Sequence, residues 1–490
     1  MKYEKPTKVK KIHMGKGRFF LDLCDGSERG EYVNQDYILH ALGRPHRAIN
    51  LMYCYYPNDP GWPKRARDAF KGKDITFQWD YPYDDYFPYG GGINGDKNSS
   101  VFEQMRDIRR HGMDVILTLT IDPHVSEEQL RALGRDLRTF GQIEVRINHE
   151  ATGDWFSFTK RAGYGEIAEF FCKASRIIKE EAPNVKTIIC IGGVQDETKP
   201  EMEMEEEFKC TIPEADIWSM DEYLALHWGW PFDVAEKGGN SFKRCHVADI
   251  CNMLKRSYNR YKFLNGGAGK PMVMSELNAD GDVTGPYEQI DMMKEFTDLL
   301  KADSEEWFSG FTFYQFRDRG RLGLETEDPN NRDCGIRQPV MDYYIKLLND
   351  PDFMPVMSDV SVLNEDADGN IENTELRFGN SRDAEGISMV FEVKSQPVFF
   401  EAYFEDESTE YNLMMELNGQ WFYKKPGVKC IDFMETFYKN SINTPTQVEL
   451  RIFAPSATGE NDLGREGGDL NYYKNIKVLP RVRIEYGPIA

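Results

Sequence analysis

The apolar positions along the chain fall into two regimes. Through the first two thirds, short continuous apolar runs alternate with segments of helical period. The runs Ile49 to Tyr55, Ile75 to Trp79, Val115 to Thr120, Ile143 to Asn148, Thr187 to Ile191, Ile217 to Met220, Met272 to Ser275 and Phe311 to Phe316 read as eight strands. Val101 to His111, Ser126 to Phe140, Glu166 to Glu181, Ser241 to Leu264 and Tyr287 to Lys301 read as helices between them. Ser126 followed by Glu127 and Glu128 opens one helix, and Pro183 stops another before the fifth strand. Strands apolar on both faces and separated by helices predict a parallel sheet, and eight such units close into a (β/α)₈ barrel. An open doubly wound sheet is the alternative, but no G-x-G-x-x-G turn follows the first strand.

After a helix over Met341 to Leu347 the period changes. Short alternating segments, among them Ser388 to Val393, Val398 to Phe404, Leu413 to Leu417, Val448 to Phe453 and Val482 to Tyr486, are separated by Gly, Asn, Asp and Pro clusters. That is the pattern of a β-sandwich. The chain therefore divides into a barrel with an N-terminal extension over residues 1–350 and a β-sandwich over 351–490. Within the sandwich, Trp421, Phe422 and Tyr423 invite reading as a sugar-binding platform. Successive strand residues face opposite ways, however, which favours a domain that buttresses the barrel.

Length and charge narrow the function. The 490 residues hold a barrel, which alone takes roughly 250, and a second domain besides. A formal charge of −22 and a pI near 5.0 exclude nucleic acid and anionic membrane as partners, but not neutral carbohydrate. Nine scattered cysteines without C-x-x-C spacing predict reduced thiols of a cytoplasmic protein. The start of the chain lacks an apolar signal segment, so the expectation is an enzyme that stays inside the cell, or one whose signal peptide has been removed.

The most informative stretch is Arg146-Ile-Asn-His-Glu-Ala-Thr-Gly-Asp-Trp-Phe156, where the fourth predicted strand ends on Glu150. The seventh, Pro271-Met-Val-Met-Ser, ends on Glu276. Barrel enzymes build their sites at the C-terminal ends of the strands, so these carboxylates are expected to face each other across the mouth. Two such carboxylates are what a retaining glycosidase needs, one as proton donor and one as nucleophile, at about 5 to 5.5 Å; an inverting enzyme holds them about 6.5 to 9.5 Å apart. Packing against Trp155 and the charge of Glu276 would keep Glu150 protonated, while Arg146 would favour the ionised form of Glu276. Arg146 lies four positions before Glu150, on the same face of an ideal strand. Rival strand-end carboxylates are Asp80, Asp122, Asp221, Glu222 and Asp318, with Glu222 the best substitute nucleophile. Trp79, Trp155, Trp228 and Trp230 fall at or after strand ends, where their faces would stack on pyranose rings, and Trp62 follows the first strand. Tyr81, Tyr83, Asp84, Asp85 and Tyr86, with glycines 90 to 92, suggest a loop that closes over substrate.

The motif R-x-x-H-E-x-x-G-x-W-F resembles glycoside hydrolase family 26, whose members include β-mannanases, mixed-linkage β-glucanases and β-1,3-xylanases. The resemblance covers about residues 45 to 350. It implies Glu150 as acid/base, Glu276 as nucleophile, His149 and Trp155 as subsite residues, and Tyr223 as the sixth-strand tyrosine that hydrogen-bonds the nucleophile. It also puts β-mannan ahead of mixed-linkage glucan and xylan as substrate. Asn148, beside these subsite residues, stands where the family usually has an aromatic, and the eighth strand lacks the family's tryptophan. Both mark the chain as divergent.

No cofactor is expected: H-E-x-x-H is absent because Gly153 replaces the second histidine. Asn364, Asp366, Asp368 and Glu375 match a calcium-loop spacing, which a turn-rich hairpin explains equally well. The alternative to a hydrolase is a non-catalytic carbohydrate-binding protein on a barrel scaffold.

Overall fold

The computed structural model describes residues 2–25, 32–70, 86–153, 155–194, 203–227, 242–379, 384–460 and 473–487. Eight parallel strands form a closed barrel: β1 (Phe20–Cys24), β2 (Ala48–Tyr55), β3 (Asp114–Ile121), β4 (Ile143–Ile147), β5 (Val185–Cys190), β6 (Ile217–Met220), β7 (Met272–Leu277) and β8 (Gly310–Phe313). The ring closes where β1 pairs with both β8 and β2, Phe20 opposite Gly310 and Leu23 opposite Ile49. Every residue of β2, β3 and β4 is buried, which is why β2 and β3 read as largely apolar runs, while β4 carries Glu144 and Arg146 inside.

The first strand was not expected. Phe-Leu-Asp-Leu-Cys is short, and Asp22 interrupts its apolar run. The structure buries that aspartate against Arg47, which also pairs with Glu144 at 2.6 Å. Predicted strand Ile75 to Trp79 lies outside the described residues, and the ring is complete without it. One missed strand and one surplus strand cancel, so Glu150 still follows the fourth strand and Glu276 still lies on the seventh. Helices cover the barrel as their periodicity requires. Ser126 caps Glu127–Leu137 in a capping box whose third-position partner is Gln129, and Tyr164–Glu181 ends just before Pro183.

Lys8–Gly15 and the strands from Val356 onward form antiparallel sheets around a second core that includes Phe391, Phe400, Met415, Phe433 and Leu450. The largest sheet runs 356–363, 8–15, 384–393, 446–453, 413–417, 420–424. This corrects the sequence-based division at residue 350: Lys8–Gly15, assigned there to the barrel's extension, is an inner strand of this sheet. Trp421 is 2% exposed and packs with Ile12, Phe378 and Phe453 beneath barrel residue Leu39. Tyr423 meets His111 of the barrel, and Phe422 turns the opposite way onto Phe433. The three aromatics thus alternate along their strand, none of them in an open platform.

Arg109 fastens the second module to the barrel. Fully buried, it donates to the carbonyls of Met113, Gly379, Ser456 and Ala457 at 2.9 to 3.1 Å and pairs with Asp114. Arg109→Met would leave the Asp114 carboxylate and four carbonyls without this donor. The expected loss is about 3 to 5 kcal/mol, read as a lower denaturant midpoint.

The calcium-loop spacing folds as a turn. Asp366 accepts from the amides of Asp368 and Asn370, each at 2.9 Å, and from the Asn370 side chain at 2.8 Å. Glu375 lies along strand Asn370–Leu376, opposite Asn475. Asp366, Asp368 and Glu375 therefore do not gather as a ligand set with Asn364. All nine cysteines are free, and among the described residues no helix is long and apolar enough to cross a membrane.

Candidate active site

Strand β4 delivers Arg146 into the barrel and then breaks. Asn148 and Glu150 both have positive φ, 48° and 50°, so the chain leaves β geometry before it reaches Glu150. The even spacing of Arg146 and Glu150 is therefore not what brings them together. Asn148 tolerates the left-handed conformation because its Oδ1 accepts from the Ile121 amide at 2.6 Å. A glutamate lacks such local compensation, and its strained backbone turns the carboxyl toward the axis.

Arg146, with its side chain 0% exposed, is the hub. Its Nε donates to Thr118 Oγ1 at 2.7 Å, Nη1 to Asp221 at 3.1 Å and Nη2 to Glu276 at 2.8 Å. Tyr223 donates to the other oxygen of Glu276 at 2.7 Å, the contact the family resemblance implied. Trp155 Nε1 donates to Glu150 at 2.7 Å. One carboxylate oxygen from each of Glu150, Asp221 and Glu276 lies within 4.8 Å of the others. This is also the one grouping of three acidic, cysteine or histidine side chains suited to a cation among the described residues. The Arg146 guanidinium lies between two of its members, Asp221 and Glu276.

The environments of the carboxyls differ. Burial holds the Glu150 carboxyl well above the usual carboxylate range, and the charges of Glu276 and Asp221 push the same way; Trp155 and Arg146 oppose them. Asp221 is pushed up to about 7 by burial, countered by Arg146 and reinforced by Glu276. Burial works against the Arg146 charge, but Asp221 and Glu276 more than restore it. Burial and the Arg146 charge keep His149 well below its ordinary value and so neutral. His149 Nε2 is 3.2 Å from the Tyr86 hydroxyl and 3.7 Å from Glu276. Its ring stacks on Tyr86 and packs against Phe156.

Gly153 explains its place in the motif. A Cβ there would come within 2.5 Å of the Trp155 ring, which folds back over the glycine to reach Glu150. Gly153→Ala is expected to displace the indole and remove a hydrogen bond that favours ionised Glu150. The alkaline limb of kcat/KM against pH should then move up, with about ten- to a hundredfold loss at the optimum.

Of the other expected residues, Trp79, Trp228 and Trp230 lie outside the described residues, as do Asp80, Tyr81, Tyr83, Asp84 and Asp85. Trp62 donates to the Ser157 carbonyl at 3.0 Å, and Arg161 lies 4.4 Å over its ring, occupying a face that would have met sugar. Arg161 also ties up Asp122. Asp318 accepts from Gln315 at 3.0 Å. Glu222 gives its amide to the Glu276 carbonyl, while its neighbour Asp221 supplies the third carboxylate. Of that loop, Tyr86 and glycines 90 to 92 are among the described residues: Tyr86 is buried on His149, and the Gly92 amide donates to buried Asp136 at 2.7 Å. Sequence reasoning missed Thr118, the Tyr86 contact and Tyr314, whose ring meets Tyr223 edge-on at 5.8 Å.

No family model matches the sequence, and no curated protein matches it. Among solved structures it is similar to a GH26 β-mannanase from Bacteroides ovatus, with a TM-score of 0.41 and 10% identity over 70% of this chain and 91% of that one. It is also similar to an α-L-arabinofuranosidase from Thermotoga maritima, with a TM-score of 0.42 and 12% identity over 92% and 98%. A modular endo-β-1,4-mannanase from Cellulomonas fimi gives a TM-score of 0.40 and 10% identity over 88% and 93%.

Proposed function

We propose that the chain is a retaining glycoside hydrolase that cleaves β-linked polysaccharide or oligosaccharide by double displacement, β-mannan first, mixed-linkage β-glucan or xylan next. The observation that carries this reading is a pair of carboxylates at opposite strands, with oxygens within 4.8 Å and unlike surroundings. Glu150, kept protonated by burial and neighbouring charge, donates to the leaving oxygen. Glu276, held by Arg146 and Tyr223, attacks the anomeric carbon. Water then enters, activated by the Glu150 carboxylate left behind. Neutral His149 and Tyr86 line the same floor as hydrogen-bonding surface. The mannan preference rests on the fourth-strand motif.

The test incubates the protein with β-mannan, mixed-linkage β-glucan and xylan, measuring released reducing ends and, by NMR, the first anomer formed. The expected product retains the β configuration. Release of the α anomer would exclude double displacement, and binding without any cleavage would make the protein a carbohydrate-binding scaffold.

A further inference from the structure

Double displacement gives tasks to Glu150 and Glu276 but none to Asp221, the third carboxylate. Its side chain is 1% exposed, one oxygen accepts from Arg146, and the other has no hydrogen-bond partner. The charged and titratable groups facing it come from four strands and their extensions: Arg146 on β4 and Glu150 after it, the Cys190 thiol on β5, Tyr223 after β6, and Glu276 with its amide on β7. Resting on the proposed hydrolase reading, we propose that Asp221 is a positioning residue. It is the standing counter-ion that holds the Arg146 guanidinium in place while Glu276 passes from carboxylate to ester and back.

The need follows from the bonds. In the first step a Glu276 oxygen bonds to the anomeric carbon, the glycosidic C–O bond breaks, and the Glu150 proton goes to the departing oxygen. In the second, a water oxygen bonds to that carbon and its proton goes to Glu150. The ester C–O bond breaks as the new bond forms, and its electron pair returns to Glu276. Between the steps Glu276 is neutral, yet Arg146 stays charged and wholly buried. Its remaining hydrogen-bond partners are the neutral Thr118 hydroxyl and Asp221; the Glu150 carboxylate formed in the first step accepts from Trp155, not from Arg146. A buried guanidinium that loses its directly paired anion is disfavoured, so Asp221 keeps the ester from carrying that penalty.

Asp221→Asn should therefore slow glycosylation by about a hundredfold or more. Deglycosylation, which restores the Glu276 anion beside Arg146, should not slow. The probes are the 2,4-dinitrophenyl β-glycosides of mannobiose, cellobiose and xylobiose, followed by stopped flow. With such a leaving group the wild type should show a burst of dinitrophenolate followed by slower turnover. A burst rate constant reduced about tenfold or more in Asp221→Asn supports the role. A smaller reduction overturns it, including one confined to burst amplitude, which a merely structural loss of active protein would give. Should Asp221→Asn not fold, Asp221→Glu decides: a retained burst supports the role, and a lost burst in folded protein overturns it. A wild type that cleaves none of the three overturns the hydrolase reading and this role together. Normal wild-type bursts with an unaffected variant overturn the role alone.

Discussion

Glu276→Gln should lower turnover of every substrate by about 10⁴-fold or more, whatever the leaving group, because an amide cannot attack the anomeric carbon. The fold should survive, since glutamine keeps the size of the side chain: its carbonyl oxygen can still accept from Arg146, and its NH2 can donate to the Tyr223 hydroxyl oxygen where Glu276 accepted. Glu276→Ala, by contrast, opens space beside a guanidinium, and added azide can enter it as an external nucleophile. The product expected is a glycosyl azide of inverted configuration, detected by NMR. A Glu276→Gln protein retaining more than about a tenth of wild-type turnover would mean that another group attacks.

Glu150→Ala should separate substrates by leaving group. Polysaccharide hydrolysis requires a proton on the departing sugar oxygen and should fall by about 10³-fold or more. A dinitrophenolate leaves without that proton, so its glycosylation step should persist while deglycosylation, deprived of its base, slows and the intermediate accumulates. The pH profile supplies an independent reading. Burial, Glu276 and Asp221 all raise the proton affinity of Glu150, so wild-type kcat/KM should hold into a range where an ordinary glutamate is already ionised, and fall as pH passes the elevated value. Glu150→Ala should lack that alkaline fall on the activated substrate. Equal losses on both substrate types would contradict the acid role.

Much of this architecture is legible in sequence for a definite physical reason. Strands such as β2 and β3 are covered on both faces and carry mostly apolar residues, their few polar ones being hydrogen-bonded inside, so they announce themselves as apolar runs. Glu150 and Glu276 stand out because each ends such a run. The alternation of Trp421, Phe422 and Tyr423 follows from strand geometry alone. What escapes depends on distant neighbours. Asp22 looks foreign to a strand until Arg47 is seen beside it. Asp221 and Glu222 are equivalent as strand-end residues, and only the strand's register places the former against Arg146. The positive φ values at Asn148 and Glu150 are likewise invisible, because neither residue type demands them. Lys8–Gly15 alternates as a strand should, but nothing local names partners that begin at Val356.

That last pairing imposes an order on biosynthesis. The segment 8–15 leaves the ribosome before the barrel strands, yet both of its neighbours, 356–363 and 384–393, emerge only after the whole barrel has been translated. Its buried residues Val9, Ile12 and Met14 must wait in an unpaired chain through that interval. A nascent chain halted after the barrel would display them to solvent and to chaperones. Emergence of 356–393 is thus the event that seals segments from either side of the barrel into one sheet.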